Sequence, residues 1–309
     1  EDLVKVVKKH KGNIPLTLSG NTSCNVPFPD VFGGGYGATT HVTGNVTVNI
    51  GTDSSGTPEG YANITGDVYG GSAKGTVNTA DNSAVSTYTY PDPENESSTL
   101  TADCYTQVNL FGGKITGNVY GGGYGLENNN ADVYGPVTVN VEGIAMKVEE
   151  SAGVVTKGQV FGGNNVKGSP LSTTTVNVIS TNAYPYGKET SYPYHIANVF
   201  GGGNQAAFNG TTTNVLMSGS IVNKVFGGGL GSTATVNGNT NVAISGGSVV
   251  HDVYGGGSEA VVAGGTSVTL SGTGAVGNDV YGGGKLANVT GAVAIALNGG
   301  TVARDVYGG

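Results

Sequence analysis

One phrase, a valine followed by an aromatic residue and two glycines, occurs nine times along the chain. Its aromatic positions are Phe32, Tyr69, Tyr120, Phe161, Phe200, Phe226, Tyr254, Tyr281 and Tyr307. They are separated by 37, 51, 41, 39, 26, 28, 27 and 26 residues, so the last four intervals define a unit of about 27 residues and the first four contain insertions. Such a period indicates an array of similar units, each too small to bury a core alone.

Between successive copies of the phrase, apolar and polar residues alternate, as at Val242 and Ile244 or at Val268 and Leu270. Alternation bounded by glycine is typical of short strands with one buried face, and no segment within the repeats has helical spacing. We therefore predict an all-β fold, a parallel β-helix (solenoid) of about eight coils. Each strand would pair with its copy about 4.8 Å away. A β-propeller is the main alternative, but its blades need about 40–45 residues.

The composition narrows the class of protein further. The chain has 309 residues and 57 glycines, without the regular third-position glycine of collagen. Apolar residues recur at regular places, which argues against disorder. The net charge of −8 argues against nucleic acid and anionic membranes as partners. No apolar run reaches about 18 residues, so we predict no membrane span.

The repeated phrase also predicts a corner. Its valine and an aliphatic residue five positions before the aromatic, such as Ile221, should face the core. The position three before the aromatic is polar, so the chain should bend there and turn that side chain outward. The side chains at this position are His251, Asn278, Arg304 and Asn223. For the aromatic ring itself two alternatives stay open, an exposed stripe for ligands or a stacked structural ladder.

Two groups of residues are candidate sites. Tyr184, Tyr186, Tyr192 and Tyr194 cluster in one insertion, where they would contact a glycan or a protein, or pack down as a lid over the wall of the coil. Asp252, Asp279 and Asp305 take the same place in three successive repeats. Carboxylates that close together are either solvated or neutralised by a cation such as calcium, which makes them weak metal candidates.

Little else in the sequence points to chemistry. The four histidines have no ligand spacing, and two cysteines, Cys24 and Cys104, are too few for a zinc site. The cysteines either form a disulfide or remain separate thiols. Catalysis needs an asymmetric cluster, whereas this sequence is nearly symmetric by translation. We predict that the protein is not an enzyme and has no cofactor.

The two ends of the chain carry different expectations. Residues 1–15 are predicted to be a cap or linker, with Leu3, Val4 and Val7 on one face of a short helix, and residues 16–309 to be the repeat domain. The repeats continue to Gly309 without a polar terminal unit. An uncovered edge is a template for further strands, so we expect the chain to be a piece of a longer array or to associate end to end with a partner such as a second copy.

Units of the form G-x-V-x-x-D-V-Y-G-G-G, alternating with x-V-T-V-x-G, resemble the glycine-rich repeat regions of large secreted bacterial surface or adhesin-like proteins. The resemblance implies a right-handed β-helix, an extracellular or cell-surface location, and a stalk or adhesive fibre. Its partners would be surface glycans or a host or neighbouring-cell protein. The alternative function is a β-helix that binds or processes polysaccharide. A groove with clustered Asp, Glu, Lys or Arg on one wall would favour that alternative, and uniform walls a stalk.

Overall fold

The computed structural model describes residues 9–11, 14–18, 27–54, 57–59, 62–78, 87–91, 99–126, 128–185 and 192–309. Within these residues the protein is all-β and contains no helix. The helix expected at Leu3, Val4 and Val7 lies outside the described residues. Strand β2 (Ile14–Leu18) spans the expected boundary at residue 15 and pairs with a strand of the first full repeat, β5 (Val46–Ile50).

The strands follow one another in three stretches of the chain. The first stretch contains β1 Lys9–Lys11, β2 Ile14–Leu18, β3 Val31–Phe32, β4 His41–Thr43, β5 Val46–Ile50, β6 Thr52–Ser54, β7 Thr57–Glu59, β8 Asn63–Ile64, β9 Val68–Tyr69, β10 Thr76–Val77, β11 Thr87–Pro91 and β12 Thr99–Asp103. The second contains β13 Thr106–Leu110, β14 Lys114–Ile115, β15 Val119–Tyr120, β16 Val137–Met146, β17 Glu149–Ser151, β18 Val154–Lys157, β19 Gln159–Phe161, β20 Thr173–Asn182, β21 Ile196–Phe200, β22 Thr212–Met217 and β23 Ile221–Phe226. The third contains β24 Asn239–Ile244, β25 Ser248–Val249, β26 Val253–Tyr254, β27 Thr266–Leu270, β28 Ala275–Val276, β29 Val280–Tyr281, β30 Val293–Leu297, β31 Thr301–Val302 and β32 Val306–Tyr307.

Two long parallel sheets organise these strands. The first, here the alternating sheet, has the order β2-β5-β13-β16-β20-β22-β24-β27-β30 and is built from the alternating segments. The second, here the phrase sheet, has the order β3-β9-β15-β19-β21-β23-β25-β28-β31, with β26, β29 and β32 alongside, and contains the repeated phrase. Equivalent residues pair in register, as when Val242 faces Val215 on one side and Val268 on the other. The prediction that like strands pair in parallel is confirmed, and the arrangement is solenoid-like.

A single apolar core lies between the two sheets. It joins alternating-sheet residues such as Val48 and Val242 to phrase-sheet valines such as Val68 and Val253, all fully buried. A third line of contact runs through single bridges from Phe208 to Val236, Val262 and Val289, which form a small cluster of their own. Each late repeat therefore supplies one residue or strand to each of three rows.

The corner at the phrase is only partly as predicted. The phrase valine is buried in eight copies and exposed only at Val306. His251 and Asn278 are half-buried, and Arg304 is exposed. Two details of the prediction are wrong in the repeat of Phe226, where β23 runs straight. There Val222 takes the core position expected for Ile221, and Asn223 is 6% exposed. The interruption that separates β25 from β26 is absent in β21 and β23, so the side chains before the phrase shift by one place.

The two insertions are described only in part. Antiparallel pairing joins β11 to β12 within the insertion of residues 72–103, and Cys104 follows it as a buried residue. Cys24 lies outside the described residues, as do residues 186–191 of the tyrosine-rich insertion, so the cysteine pairing stays untested. In the part of the chain that is described, no helix has the length and hydropathy needed to cross a membrane.

Candidate functional site

The nine aromatic rings of the phrase stand in one file. Each ring stacks on the next at centroid distances of 4.7–4.9 Å and interplanar angles of 5–8°. The six rings from Tyr69 to Tyr254 are at most 7% exposed, and Tyr307 at the end of the file is 43% exposed. The ladder alternative is therefore the correct one, and the exposed aromatic stripe is wrong for the buried rings. Tyr124 and Leu230, from the segments after the glycines, pack against the file.

The residue two places before each ring supports the ladder. Where that residue is aspartate and the ring is tyrosine, the phenol donates a hydrogen bond to the carboxylate, at 3.0 Å for Tyr69 and Asp67. The candidate metal residues bind in the same way, with phenol–carboxylate distances of 3.4 Å at Asp252, 3.3 Å at Asp279 and 3.2 Å at Asp305. Their metal role stays a prediction. Across the described residues, no three His, Cys, Asp or Glu side chains come together to hold a metal ion.

Burial acts on the pKa values of this row. Loss of hydration raises the pKa of the phenols of Tyr69 and Tyr254, and the neighbouring carboxylates raise it further. Burial also raises the pKa of Asp67, although hydrogen bonds from Asn118 and Tyr69 act in the opposite direction. The phenols are therefore neutral hydrogen-bond donors at neutral pH, and the row serves structure in these repeats.

The regular wall is interrupted by a groove of about 350 Å3. It crosses the repeats of Phe161, Phe200, Phe226 and Tyr254 on the side of the phrase sheet where the rings lie. Its lining contains the side chains of Glu150, Val154, Val155, Gln159, Tyr194, Asn198, Asn223, Lys224, Leu230, His251, Ser258, Glu259 and Lys285. Phe200 and Phe226 lie beneath the floor and are at most 2% exposed.

A row of amides forms the floor of the groove. Asn198 Nδ2 donates to Gln159 Oε1 over 3.1 Å, and Asn223 Nδ2 donates to Asn198 Oδ1 over 3.4 Å. His251 Nδ1 continues the row, 2.5 Å from Asn223 Oδ1. The three amide side chains are 4–8% exposed, whereas His251 is half-buried. Each member comes from a different repeat, so polar groups recur along the groove at the spacing of the strands.

The groove coincides with a change in the repeated sequence. Over its floor the rings change from tyrosine to phenylalanine, and the residues two places earlier are Gln159, Asn198 and Lys224. Aspartate is also absent before Tyr120, where Asn118 stands, but that ring is a tyrosine. The strands beneath, β21 and β23, are the ones that run straight. Because the rings stack in register, the hydroxyl of Tyr254 marks the direction in which the ring of Phe226 points. Because the residue at this place is Phe226 and not a tyrosine, the floor of the groove has no phenol hydroxyl above that ring.

One wall of the groove is a hairpin made of β17 and β18. Lys147 and Lys157 hold Glu149 at 2.7 and 2.9 Å, and these two ammonium groups lower the pKa of that carboxyl. Asn118 Nδ2 donates to Thr156 O over 3.2 Å and fixes the hairpin to the phrase sheet. At the tip, Val154 is 63% exposed and gives the groove an apolar edge.

The candidate tyrosines fall at different depths beside this wall. Tyr194 lines the groove but is 6% exposed and packs in a cluster with Val148 and Ala197. Tyr192 is half-buried, with its ring tilted at 31° and 5.4 Å from that of Tyr194. Tyr184 is half-buried at the other end of the insertion, and Tyr186 lies outside the described residues. The structure brings Tyr192 and Tyr194 together, and a ligand role for the four stays a prediction.

The charges at the groove are mixed. Glu150, Glu259 and Lys285 are exposed, and Lys224 Nζ is 3.1 Å from Asp252 Oδ2. Sequence reasoning did not assemble this site, although one signal was present. The places where Asp-Val-Tyr becomes Gln-Val-Phe, Asn-Val-Phe and Lys-Val-Phe mark the repeats that form it.

A second hollow, of about 380 Å3, lies elsewhere on the described surface, between Asp132, Lys167, Gln205 and Asn209. Burial raises the pKa of Asp132, whose Oδ1 accepts the Ser169 N–H at 2.9 Å. That carboxylate thus binds the backbone of the next repeat, and the hollow lacks the run of amides that crosses the first groove.

The described residues form an all-β protein with solenoid-like parallel sheets and a lateral polar groove. No protein-family profile matches the chain. Comparisons with curated proteins and with solved structures also give no match. The fold and the groove are therefore the observations from which a function must be argued.

Proposed function

We propose that this chain is a right-handed parallel β-helix of about eight coils that serves as a structural and adhesive element of a bacterial surface or secreted protein. The parallel, in-register pairing of both sheets supports the β-helix. Right-handedness rests on the general preference of parallel crossovers for that hand. The resemblance of the repeats to adhesin-like glycine-rich regions supports the biological role and the extracellular location.

The observation that carries this proposal is the unbroken file of nine stacked rings. At about 4.8 Å a coil, eight steps give a rod of about 40 Å. Stacked, buried rings and in-register strands resist bending and stretching, which suits an element that holds a binding surface away from a cell. Surface glycans or proteins of a host or neighbouring cell are the proposed partners.

The proposal includes end-to-end self-association. The last strands of the two sheets, β30, β31 and β32, have exposed side chains, including Leu297 at 50% and Val306 at 40%. A parallel edge of this kind accepts a further strand in register. A second copy of the chain or a further repeat would satisfy it equally well.

A second candidate function is polysaccharide binding, and the groove favours it. A plain stalk would have uniform walls. Here the β17–β18 hairpin, the tyrosine-rich insertion and the three repeats with phenylalanine in the phrase meet at one groove. Glu150, Glu259, Lys224 and Lys285 all line that place. This candidate function is compatible with the prediction that the protein is not an enzyme, because binding requires no catalytic residue.

Small-angle scattering and surface labelling would test the main proposal. We expect the purified chain to scatter as a rod with a length of at least about 40 Å. On intact cells that produce the protein, an antibody against it should bind before permeabilisation. A compact globular scattering curve, or antibody binding only after permeabilisation, would contradict the proposal.

A further inference from the structure

We infer that the groove binds an uncharged, extended oligosaccharide whose chain runs along the repeat axis. This inference rests on the second proposed function and specifies its ligand and its site. It is drawn from the spacing of the floor, from the charges around it and from the hydrogen-bonding groups that it presents.

The spacing of the floor favours a sugar chain over a peptide. The polar groups of Gln159, Asn198, Asn223 and His251 come from successive repeats, and the rings of those repeats are 4.7–4.9 Å apart. That interval is close to the length of one pyranose unit in an extended β-1,4-linked chain. An extended peptide rises about 3.4 Å per residue, so its groups would fall out of step with the floor. Four rows correspond to about four sugar units.

The charges favour an uncharged chain. The exposed carboxylates of Glu150 and Glu259 oppose the ammonium of Lys285, and Lys224 is already paired with Asp252. The protein as a whole has a net charge of −8. A polyanionic glycan would approach an acidic protein with no uncompensated basic cluster at this groove, which is unfavourable. With two exposed carboxylates and one exposed ammonium, the groove has no strong charge of either sign, which suits an uncharged chain.

The hydrogen-bonding groups suit hydroxyls. A primary amide has two N–H donors and an acceptor oxygen, and a hydroxyl is both donor and acceptor. In the contacts of the described residues, Asn198 and Asn223 each use one side-chain N–H within the row. The second N–H of each amide, and Nε2 of His251, are the groups that a sugar hydroxyl would meet. Ser258 and Glu259 face the row from the segment after the phrase of Tyr254.

The walls define how the chain would lie. Val154 at the hairpin tip and the buried Tyr194 both line the groove, as do the amides of its floor. The exposed valine offers an apolar surface to the C–H face of a sugar ring. The floor meets its hydroxyls, as in sites where a few polar groups fix orientation within an apolar frame.

The test is a titration of the ¹⁵N-labelled chain with cellotetraose, xylotetraose and mannotetraose, with tetragalacturonate as the acidic probe. We expect at least one neutral tetrasaccharide to shift the side-chain amide signals of Gln159, Asn198 and Asn223. Its affinity should change little with added salt, because screening acts on charges. Signals from Asn214 and Asn241, on the outer face of the alternating sheet, should not move.

Three variants sharpen the test. His251→Ala should weaken binding about fivefold or more, the loss expected for one hydrogen bond. Lys285→Glu removes the exposed ammonium of the lining and serves only to identify an acidic-glycan site, whose binding it should abolish. Asn241→Ala, which removes a ladder bond of 3.3 Å to Asn214, is the matched control with unchanged affinity. If His251→Ala unfolds the chain, the shifts of the wild-type amides decide the question.

Several results would overturn the inference. Binding of tetragalacturonate alone, lost in Lys285→Glu, would show an acidic-glycan site, and shifts confined to Asn209 would move the site to the second hollow. No binding by any probe, with rod-like scattering retained, would remove the groove assignment and leave the structural proposal intact. Loss of the rod-like scattering would instead refute the proposed function itself.

Discussion

The hydroxyl of Tyr69 donates to Oδ2 of Asp67 over 3.0 Å, and Oδ1 of the same carboxylate accepts the backbone N–H of Asn118 over 2.7 Å. One side chain thus joins a ring to its own turn and to the next repeat. The same pair recurs at Tyr254, Tyr281 and Tyr307. This relationship explains why the chain repeats Asp-Val-Tyr, since the aspartate orients the ring and satisfies a backbone donor.

The first prediction concerns the charge of Asp67. Burial raises the pKa of this carboxyl above its ordinary value of 3.8, so the folded chain keeps a proton that the unfolded chain releases. The stability that Asp67 contributes is fully present below the pKa of the unfolded chain, 3.8, and is lost as the pH rises through the higher pKa of the folded chain. Asp67→Asn removes this loss, so the stability of the variant relative to the wild type should increase with pH. Urea midpoints from pH 3 to 7 measure it.

Glu149→Gln is the control with the opposite sign. Two lysines lower the pKa of Glu149, so its contribution is present above the ordinary value of 4.5 and is lost as the pH falls through the folded pKa. The variant should become less stable relative to the wild type as the pH rises, by a small amount because both ion pairs are partly exposed. Equal slopes for the two variants would contradict the assignment.

The second prediction concerns the ring file. Phe200 is fully buried and stacks on Phe161 at 4.8 Å and on Phe226 at 4.7 Å. Phe200→Ala should lower the free energy of unfolding by about 3–5 kcal/mol. Tyr307→Ala, at the exposed end, should cost at most about 1 kcal/mol. Chemical denaturation followed by circular dichroism compares them, and equal losses would argue against a continuous buried ladder.

The third prediction concerns the glycines after the ring. A Cβ on Gly228 would lie 2.7 Å from Gly257 N and 2.9 Å from Gly257 Cα, both backbone atoms of the next repeat. Gly228→Ala should therefore force the two repeats apart and cost about 1–3 kcal/mol. At Gly37 the nearest atom to an added Cβ is a side-chain atom, Thr40 Cγ2 at 3.3 Å, so Gly37→Ala should cost much less. Thermal melts of both variants test the close approach, and an unchanged melt for Gly228→Ala would refute it.

The fourth prediction concerns an asparagine ladder on the alternating sheet. Asn140 Nδ2 donates to Asn109 Oδ1 over 2.8 Å, and Asn140 Oδ1 accepts from Asn177 Nδ2 over 2.7 Å. Asn140→Ala should lower the free energy of unfolding by about 1–3 kcal/mol, because two bonds are lost and their partners remain. Thr269→Ala, in the same outward row, should change it by less than about 0.5 kcal/mol. Denaturation midpoints that fall equally would count against the ladder.

Much of the fold was predictable because the repeat fixes it. Period-two alternation specifies which face of each strand is buried, and a common unit length specifies that like strands pair. Val242 could therefore be placed beside Val268 without a structure. The position three before the ring was harder. The core aliphatic residue is five places before the ring where the strand bends, as at Val249, and four places before it where the strand runs straight, as at Val222. The sequence does not show which case applies, so the prediction for Ile221 and Asn223 is wrong.

The groove could not be assembled from the sequence for a similar reason. Its parts come from the hairpin of β17 and β18, the tyrosine insertion and three separate phrases, and only the parallel pairing of the repeats brings them together. Gln159, Asn198 and Lys224 each stand at the place where other repeats have an aspartate. Considered with the phenylalanines that follow them, they mark adjacent repeats and hence a local departure from symmetry.

The central claim is that equivalent residues lie in file along a rod, and distances between spin labels test it most directly. Thr138, Thr175, Asn214 and Ala294 occupy one outward row of the alternating sheet. In a Cys24→Ser background, with unmodified buried Cys104 as the labelling control, cysteine pairs would join Ala294 to each of the other three. We predict backbone separations of about 14, 19 and 24 Å for Asn214, Thr175 and Thr138, rising in equal steps. Separations that level off or shrink with repeat number would mean a closed ring of units and would contradict the account.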